Sequence, residues 1–494
     1  MTDAAAALIV AVLAVPLGAA LLVTLVPSPR AADRLNLATS ALTAALAVAL
    51  AVVALAAAPG VAARGSWYLL DTAGGVFLAL IAVVGLASAA MSPFYLRHEG
   101  RGWFTARRSH AWYYAAFNLF WVALLALPLA GNLGLAWLLI EATTAASALL
   151  VAFSGKRSAL EAGWKYVVLT TLGLAIALLG ILVLFVAVGS DDAGLARLDW
   201  QALARQGGRL PGQATLVAFV LILVGLASKI GWAPVHNWLP DAHSEAPPPV
   251  SAMLSAALLP TVLLIAWRTK LALEPALGPG AVQELFIGFG LASLLIAVPF
   301  LWRPLPWKRL LAYSSLEHMG VLALGIGFGT PLAIAGVVVH VAGHGLAKAL
   351  GFYTAIPLLR QDPSAAERAA RGVARASAPT ATAMSVSLYS LSGLPPSPLF
   401  VSEVMILLGG MDAGLIGVSS IAAVLLALGF LGLAHALLEG LLGTKRGPHP
   451  RPSRSAQAVA LLCGATALAL IALTVAAYAL PGSDIVAALM RSGA

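Results

Sequence analysis

The sequence predicts an all-α polytopic membrane protein with about fourteen transmembrane helices. Apolar residues make up 61% of its 494 residues, charged residues only 10%, and the mean hydropathy is +0.94. A water-soluble protein contains about 25% charged residues, so this composition places the chain in a lipid bilayer. The apolar residues also fall in regular runs separated by short polar segments.

Each apolar run is long enough to cross a bilayer as a helix, which takes about 20 residues. The first run lacks a basic N-terminal flank, so we expect a membrane helix there and no cleaved signal peptide. The fourteen runs leave no room for a soluble domain. They lie at 5–26, 36–58, 74–94, 111–129, 131–153, 162–188, 214–240, 247–267, 281–301, 309–328, 331–357, 378–411, 413–441 and 456–480.

Lysine and arginine are distributed unevenly between the two sets of loops. With the N-terminus outside, 19 of the 29 fall on the inner side, 7 fall in outer segments that include Arg268 and Lys270, and three lysines lie within spans. This bias predicts a multi-pass protein of the inner (cytoplasmic) membrane with both termini on the outer side. The net charge of +9 is therefore an orientation signal, and we expect the lipid bilayer, not nucleic acid, as the partner.

The cysteine content argues against a bound redox centre. Cys463 is the only cysteine, and one thiol cannot hold an iron–sulfur cluster or a structural zinc ion. No glycine-rich nucleotide motif follows a plausible strand. We expect no cofactor on this chain, so any redox chemistry belongs to partner subunits.

Two of the apolar runs are interrupted in a similar way. Proline removes backbone hydrogen bonds, so such breaks persist at membrane depth only where protein or a hydrated cavity surrounds them. The breaking residues are Gly231 and Pro234 in the seventh run, and Gly393, Pro395, Pro396 and Pro398 in the twelfth. Paired breaks predict two inverted five-helix repeats, although two unrelated proline kinks would give the same pattern. The predicted segments are a three-helix N-terminal part (1–110), the repeats (111–268 and 281–441), and a C-terminal helix with its tail (442–494).

Ionisable residues occur along the predicted helices, where each charge at the bilayer centre costs about 2.5 to 3.5 kcal/mol. An inert scaffold would not need them, so they predict a path for protons. The candidates are Glu141, Lys165, Lys229, Glu317, His318, His340, His344, Lys348 and Glu403, with His236 as a weaker one.

His340, His344 and Lys348 recur at every fourth position and so share one helix face. Imidazole both accepts and donates a proton near neutral pH, which favours stepping stones for a proton over plain hydrogen bonds between helices. A metal site is disfavoured, because the spacing lacks an HExxH motif and a lysine occupies the next turn.

Glu141 and Lys229 are our predicted core pair. Burial disfavours a charged lysine and a nearby carboxylate restores it, so such a pair can take up and release a proton; a static ion pair is the alternative. Lys165 could instead extend its charge to the membrane surface. Around Asp241, His243 and Glu245, a proton entry funnel and a solvated loop are equally compatible with the sequence.

Four stretches give the chain a recognisable pattern: 137–144, 228–253, 308–320 and 340–350. In order and spacing they resemble the antiporter-like family of complex I membrane-arm subunits, Mrp antiporter subunits and energy-converting hydrogenase subunits. Within it, they look most like component F of hydrogenase-4 and formate hydrogenlyase complexes, which are group 4 hydrogenases. One departure is Ser255, where many relatives carry a histidine in helix 8.

The resemblance implies that Glu141 and Lys229 form the family's core proton pair. It also implies that a hydrated path along the membrane plane continues through His340, His344, Lys348 and Glu403. Where the family's histidine is replaced, the link between the two half-paths would run through water or the serine.

The function implied is a non-catalytic, proton- or sodium-translocating subunit of an oxidoreductase complex. Its partners would be other membrane subunits and soluble redox subunits carrying iron–sulfur clusters, and nickel–iron or flavin. The alternative is a cation/proton antiporter module or the membrane partner of an inorganic-carbon uptake system, because both use the same helices.

Overall fold

A computed structural model describes residues 2–99, 109–189, 194–361, 363–443 and 453–491 of the chain. Within these ranges, thirteen helices are long and apolar enough to cross a membrane. The predicted all-α, multi-pass membrane architecture is confirmed. Part of the predicted charge pattern lies outside the described residues, namely Arg101, Arg107, Arg108, Lys445, Arg446 and Arg451.

The first half of the chain contains eleven helices and one small hairpin in its described part. The helices are α1 (Thr2–Leu25), α2 (Pro29–Ala56), α3 (Thr72–Glu99), α4 (Ser109–Ala126), α5 (Leu133–Val151), α6 (Arg157–Ala187), α7 (Trp200–Gln206), α8 (Gly212–Ile230), α9 (Trp238–Glu245), α10 (Pro248–Met253) and α11 (Leu259–Leu277). Strands β1 (Ala63–Arg64) and β2 (Leu69–Leu70) pair antiparallel between α2 and α3. A π-helical turn (Leu254–Leu258) joins α10 to α11.

The second half contains helices joined by loops, and no strand, in the residues that the structure describes. Its helices are α12 (Pro279–Leu301), α13 (Trp307–Phe328), α14 (Pro331–Gln361), α15 (Val373–Ala376), α16 (Ala378–Leu391), α17 (Pro398–Asp412), α18 (Ile416–Leu442), α19 (Arg454–Ala477) and α20 (Asp484–Leu489). The pair α16–α17 occupies the predicted twelfth run and, with the thirteen long helices, accounts for the fourteen runs.

Both predicted breaks are present. α8 ends where Gly231 takes a left-handed φ of 80°, and the Trp238 indole N–H donates to the Ser228 carbonyl in the last turn of α8 at 2.6 Å. Between α16 and α17, the Tyr389 hydroxyl donates to the Pro395 carbonyl, and Ser397 caps the first turn of α17. The chain itself therefore satisfies backbone groups that the breaks leave open, as a bilayer requires.

The middle of the molecule is formed by α10, α11, α13 and α14. α13 is buried along its whole length, and α14 packs against α13, α16, α17, α19 and α3. α6 packs along α8, the helix that ends at the first break. The candidate residues Lys229 of α8, Glu317 and His318 of α13, and His340, His344 and Lys348 of α14 therefore lie in the protein interior.

One predicted outer loop is wrong. α11 continues to Leu277, beyond the predicted end of the first repeat at residue 268, so Arg268 and Lys270 lie inside a helix and are buried. The Arg268 guanidinium is 2.6 Å from the Asp71 carboxylate and donates to the Pro128 carbonyl at 2.8 Å. This ion pair joins α3 of the N-terminal part to the central helices. The inverted symmetry of the two repeats stays a prediction.

Candidate functional site

Lys229 lies in the last turn of α8 and is fully buried. Its ammonium donates to the Thr144 hydroxyl at 2.7 Å and to the Tyr166 hydroxyl, and it lies 4.4 Å from the centre of the Tyr166 ring. Thr144 donates its own proton to the Ile140 carbonyl, which leaves a lone pair for the lysine. We call Glu141, Thr144, Tyr166 and Lys229 the Lys229 module.

Glu141 is half-buried on α5, one helical turn before Thr144. Within the described ranges, its carboxylate makes no ion pair of 4 Å or less with Lys229, so the predicted pair does not touch directly. Thr144 bonds the Lys229 ammonium and lies one turn from Glu141 on α5, and Thr171 Oγ1 lies 3.5 Å from the Glu141 carboxylate. The Thr144 hydroxyl therefore connects the lysine to the helix that carries the glutamate.

Lys165 lies on the surface of α6, with 37% of its side chain exposed. It pairs with Glu161 at 2.6 Å and with Asp241 at 3.5 Å, and Asp241 also pairs with Arg309 at 2.9 Å. These groups and Glu245 line a polar cleft of about 210 Å³. A role of Lys165 in the proton path stays a prediction.

His243 is fully buried, so the solvated-loop interpretation is wrong for this residue. Its ring nitrogen Nδ1 bonds the Leu239 carbonyl at 2.9 Å. The Trp238 ring lies between Tyr166, at 4.8 Å, and His243, at 6.2 Å. His243 therefore stands between the Lys229 module and the charged residues of α14.

Lys348 is fully buried on α14 and donates to the Leu311 carbonyl at 2.6 Å and to the Ser314 hydroxyl. Glu317 lies one turn further along α13, 3% exposed, within electrostatic range of the ammonium. We call Lys348, Ser314 and Glu317 the Lys348 module. Like the Lys229 module, it contains a buried lysine that donates to a side-chain hydroxyl, and a carboxylate that is further from the lysine.

Three histidines meet beside this module. His318 Nδ1 and His340 Nε2 share a hydrogen bond of 3.0 Å, and His340 Nδ1 bonds the Ser402 hydroxyl at 2.9 Å. The His344 ring centre lies 4.9 Å from that of His318 and 6.4 Å from that of His340. We call His318, His340, His344 and Glu403 the histidine cluster.

Glu403 follows the second break, at the start of α17. Its carboxylate is close enough to His318 and His340 for one ligand atom of each to lie within 4.8 Å of the others. Gly393 faces it from the break with φ of 64°, and a Cβ there would lie 2.4 Å from the carboxylate. The break therefore makes room for this acid.

Ser255 lies in the π-helical turn, at the position where the resemblance implied a histidine. Its hydroxyl shares a 2.8 Å hydrogen bond with Ser315, which donates to the Leu311 carbonyl that also accepts from Lys348. The His344 ring lies against the backbone of Ser255. The serine therefore occupies the position between the histidine cluster and the Lys348 module.

His236 lies inside the first break and is 8% exposed. Its Nδ1 has no hydrogen-bond partner among the described residues. The geometry thus gives His236 no link to the other candidates, and its role stays a prediction.

A family model described as NADH:quinone oxidoreductase/Mrp antiporter, TM, matches residues 130–429, which include every candidate named above. The chain belongs to this antiporter-like family. The predicted resemblance is confirmed.

Two relatives of the antiporter-like family illustrate its range. The hydrogenase-4 component F homolog of Methylacidiphilum infernorum is 32% identical over 79% of this chain and 81% of its own length. NADH-quinone oxidoreductase subunit N of Desulforudis audaxviator is 30% identical over 76% of this chain and 73% of its own length. A chain of the Mrp complex from Dietzia sp. DQ12-45-1b shares the fold, with a TM-score of 0.83 at 20% identity and coverage of 100% and 98%.

Sequence reasoning missed the hydroxyl groups that hold the charges of this antiporter-like subunit. Thr144, Tyr166, Ser314 and Ser402 bond Lys229, Lys348 or His340 directly. Two of them could have been identified from the sequence, because Thr144 is three residues from Glu141 and Ser402 adjoins Glu403. Tyr166 gave none, since only the packing of α6 on α8 brings it to the lysine.

Proposed function

We propose that this chain is a proton-translocating membrane subunit of a redox-driven complex, of the kind that contains hydrogenase-4 component F and NADH-quinone oxidoreductase subunit N. Membership of the antiporter-like family and relatives with those names over most of their length support it. The subunit itself catalyses no redox reaction. It couples electron transfer in its partners to ion movement.

The observation that carries the proposal is a buried series of polar groups between two breaks in the helices. It starts at Glu141 and Lys229, continues past His243 to Lys348, and ends at Glu403. Ionisable groups inside a membrane protein are expensive and are retained at proton and ion pathways.

Within this series, we assign the exchange of a proton to the Lys229 module. Thr144 and Tyr166 hold the ammonium, and Glu141 offers a half-buried carboxylate one turn away. A small rotation that brings carboxylate and ammonium together stabilises both charges, and their separation favours transfer of the proton along the hydroxyls.

In the second half, His318 and His340 are already hydrogen-bonded, so a proton can pass from one ring to the other and on to the Ser402 or Glu403 side. Ser255 and Ser315 join this cluster to the Lys348 module in place of the family's histidine. The whole path runs across the molecule from α5 to α17.

The partners in this proposal are further membrane subunits and soluble redox subunits that carry iron–sulfur clusters, and nickel–iron or flavin. The uneven distribution of lysine and arginine supports a location in the inner membrane with both termini outside. A second candidate is a cation/proton antiporter module, because the family description also covers Mrp antiporters.

The test compares wild type with Lys229→Ala in inverted vesicles that contain the assembled complex. Proton translocation and electron transfer are recorded together. We expect translocation to fall at least about tenfold, since losing a buried hydrogen-bonded charge costs about 1–3 kcal/mol or more and roughly 1.4 kcal/mol corresponds to tenfold.

Lys156→Ala serves as the matched control, because Lys156 is exposed at the start of α6 and should leave translocation unchanged. Unchanged pumping in Lys229→Ala would refute the assigned role of the Lys229 module. Ion exchange without any dependence on electron transfer would favour the antiporter instead.

A further inference from the structure

The histidine cluster has the donor set of a transition-metal site. His318 on α13, His340 on α14 and Glu403 on α17 each offer one ligand atom, and these atoms lie within 4.8 Å of one another. Two imidazole nitrogens and one carboxylate oxygen are ligands that Zn²⁺ prefers, and three protein ligands leave a fourth position for water.

The hydrogen bond between the two rings has almost the separation that a metal needs. His318 Nδ1 and His340 Nε2 lie 3.0 Å apart. Two nitrogens bound tetrahedrally at about 2.0–2.1 Å from zinc lie roughly 3.3 Å apart. Opening the pair by a few tenths of an ångström therefore lets a metal ion replace the shared proton.

The surroundings of the rings favour such a replacement. His340 is oriented by Ser402, which bonds its other nitrogen at 2.9 Å, as the outer partners of metal-bound histidines do. His344 lies beside His318, and among the described residues neither of its ring nitrogens has a side-chain hydrogen-bond partner. It can approach as a further ligand.

Charge favours a divalent ion as well. Within the described ranges, Glu403 makes no ion pair with a lysine or arginine, and Glu317 lies within electrostatic range of it. Glu403 thus supplies one uncompensated negative charge to the site, while the charge of Glu317 is shared with the Lys348 ammonium. Glu403 is the least buried of the three ligands.

We propose that His318, His340 and Glu403 form a binding site for a divalent transition metal ion of the zinc class, and that a bound ion blocks the proton path at this point. The first part stands on the geometry of the three residues alone. The second part rests on the proposed function. Spacing along the sequence disfavoured a metal because the third ligand comes from another helix, 63 positions after His340.

The first experiment measures binding without any pumping. The full-length chain in lipid nanodiscs is titrated with Co²⁺, whose ligand-field absorption reports a nitrogen- and oxygen-bound metal. We expect one Co²⁺ per chain, displaced by Zn²⁺ but not by Mg²⁺, which prefers oxygen ligands.

The variants test which residues bind it. His340→Gln should abolish the absorption, and Glu403→Gln should raise the Kd by at least about tenfold, as even outer partners of metal ligands matter by 10–100-fold. His435→Ala is the control, because this histidine is exposed and lies outside the cluster. Each variant is compared with wild type by size exclusion and tryptophan fluorescence, so that a misfolded variant is recognised.

No Co²⁺ absorption in folded wild type, or the same absorption in both folded variants, overturns the site. The second experiment adds Zn²⁺ to pumping vesicles of the assembled complex. If Zn²⁺ halves the pumping rate at a concentration close to the Zn²⁺ Kd found by displacement of Co²⁺ in nanodiscs, the block is supported. Full pumping at Zn²⁺ concentrations that saturate the site overturns it. If the vesicles never pump, the proposed function fails while the Co²⁺ titration still decides the site.

Discussion

Lys229 and Lys348 are both fully buried and both donate to side-chain hydroxyls of neighbouring helices, Lys229 to those of Thr144 and Tyr166 and Lys348 to that of Ser314. Their carboxylates differ. Glu141 is half-buried at the side of the molecule, whereas Glu317 is 3% exposed and its carboxylate lies against Gly429 of α18. The same arrangement thus occurs once at a face of the protein and once in its centre.

This difference in burial assigns different roles in ion movement and in stability to the two modules. A carboxylate at the side of the molecule can exchange a proton with groups outside the chain. The negative charge of a carboxylate in the centre is instead compensated by the lysine beside it. We therefore expect the Lys229 module to govern ion movement mainly, and the Lys348 module to govern both ion movement and stability.

Among the variants that test this difference between the two modules, Lys348→Ala is expected to have the largest effect on stability and translocation. Removing one partner of a buried charge pair costs about 3–5 kcal/mol, because the other charge is left uncompensated. Both the Tm and proton translocation should fall, whereas Lys229→Ala should lower translocation with a smaller change in Tm. Thermal unfolding in detergent and vesicle pumping measure the two quantities. Equal losses of Tm in both variants would contradict the division of tasks.

The next effect concerns the second break. Gly393→Ala places a Cβ at 2.4 Å from the Glu403 carboxylate, so we expect the acid to move away from His318 and His340 and translocation to fall several-fold. Gly414→Ala is the matched control, since its φ is 79° and open space surrounds it. Both variants carry the same backbone strain of about 1–2 kcal/mol. Equal pumping in the two would show that the position of Glu403 is unimportant.

A smaller effect is expected from the hydroxyls. Thr144→Val keeps the shape of the side chain but removes the group between Glu141 and Lys229, so translocation should fall about two- to tenfold, the equivalent of one hydrogen bond. Ser314→Ala should fall within the same range, because Lys348 keeps the Leu311 carbonyl as an acceptor just as Lys229 keeps the Tyr166 hydroxyl. Pumping rates of the two variants decide, and an unchanged rate in either would show that its hydroxyl is not part of the path.

The smallest effect is expected from Lys165→Ala. Its ion pairs are exposed to solvent, and such pairs contribute little. Translocation should change by less than about twofold. A loss as large as that of Lys229→Ala would place Lys165 within the path after all.

Much of the fold could be predicted, because apolar runs and proline breaks are local properties of the chain. The breaks at Gly231 and Gly393 are present where expected. The prediction of an outer segment at Arg268 was wrong. The charge of Arg268 marked the end of an apolar run in the sequence, but in the structure this charge is compensated by Asp71. Sequence patterns carry no information on such a distant partner.

The candidate site was predictable as a set of residues but not as a geometry. His340, His344 and Lys348 share a helix, so their common face followed from their spacing. The contact of His318 with His340, and the approach of Glu403 to both, depend on how α13, α14 and α17 pack. His243 could not be assigned from sequence, because only the packing of Trp238 and Phe352 around it shows that it is buried.

The ion pair between Arg268 and Asp71 also bears on the biogenesis of the protein. Its two residues are 197 positions apart, so Asp71 enters the membrane long before its partner has been synthesised. Until α11 arrives, the carboxylate at the start of α3 has no arginine to compensate it and depends on water or on other polar groups. The helices that precede α4 therefore reach their final packing only after the middle of the chain has been inserted, and the order of synthesis is not the order in which the bundle closes.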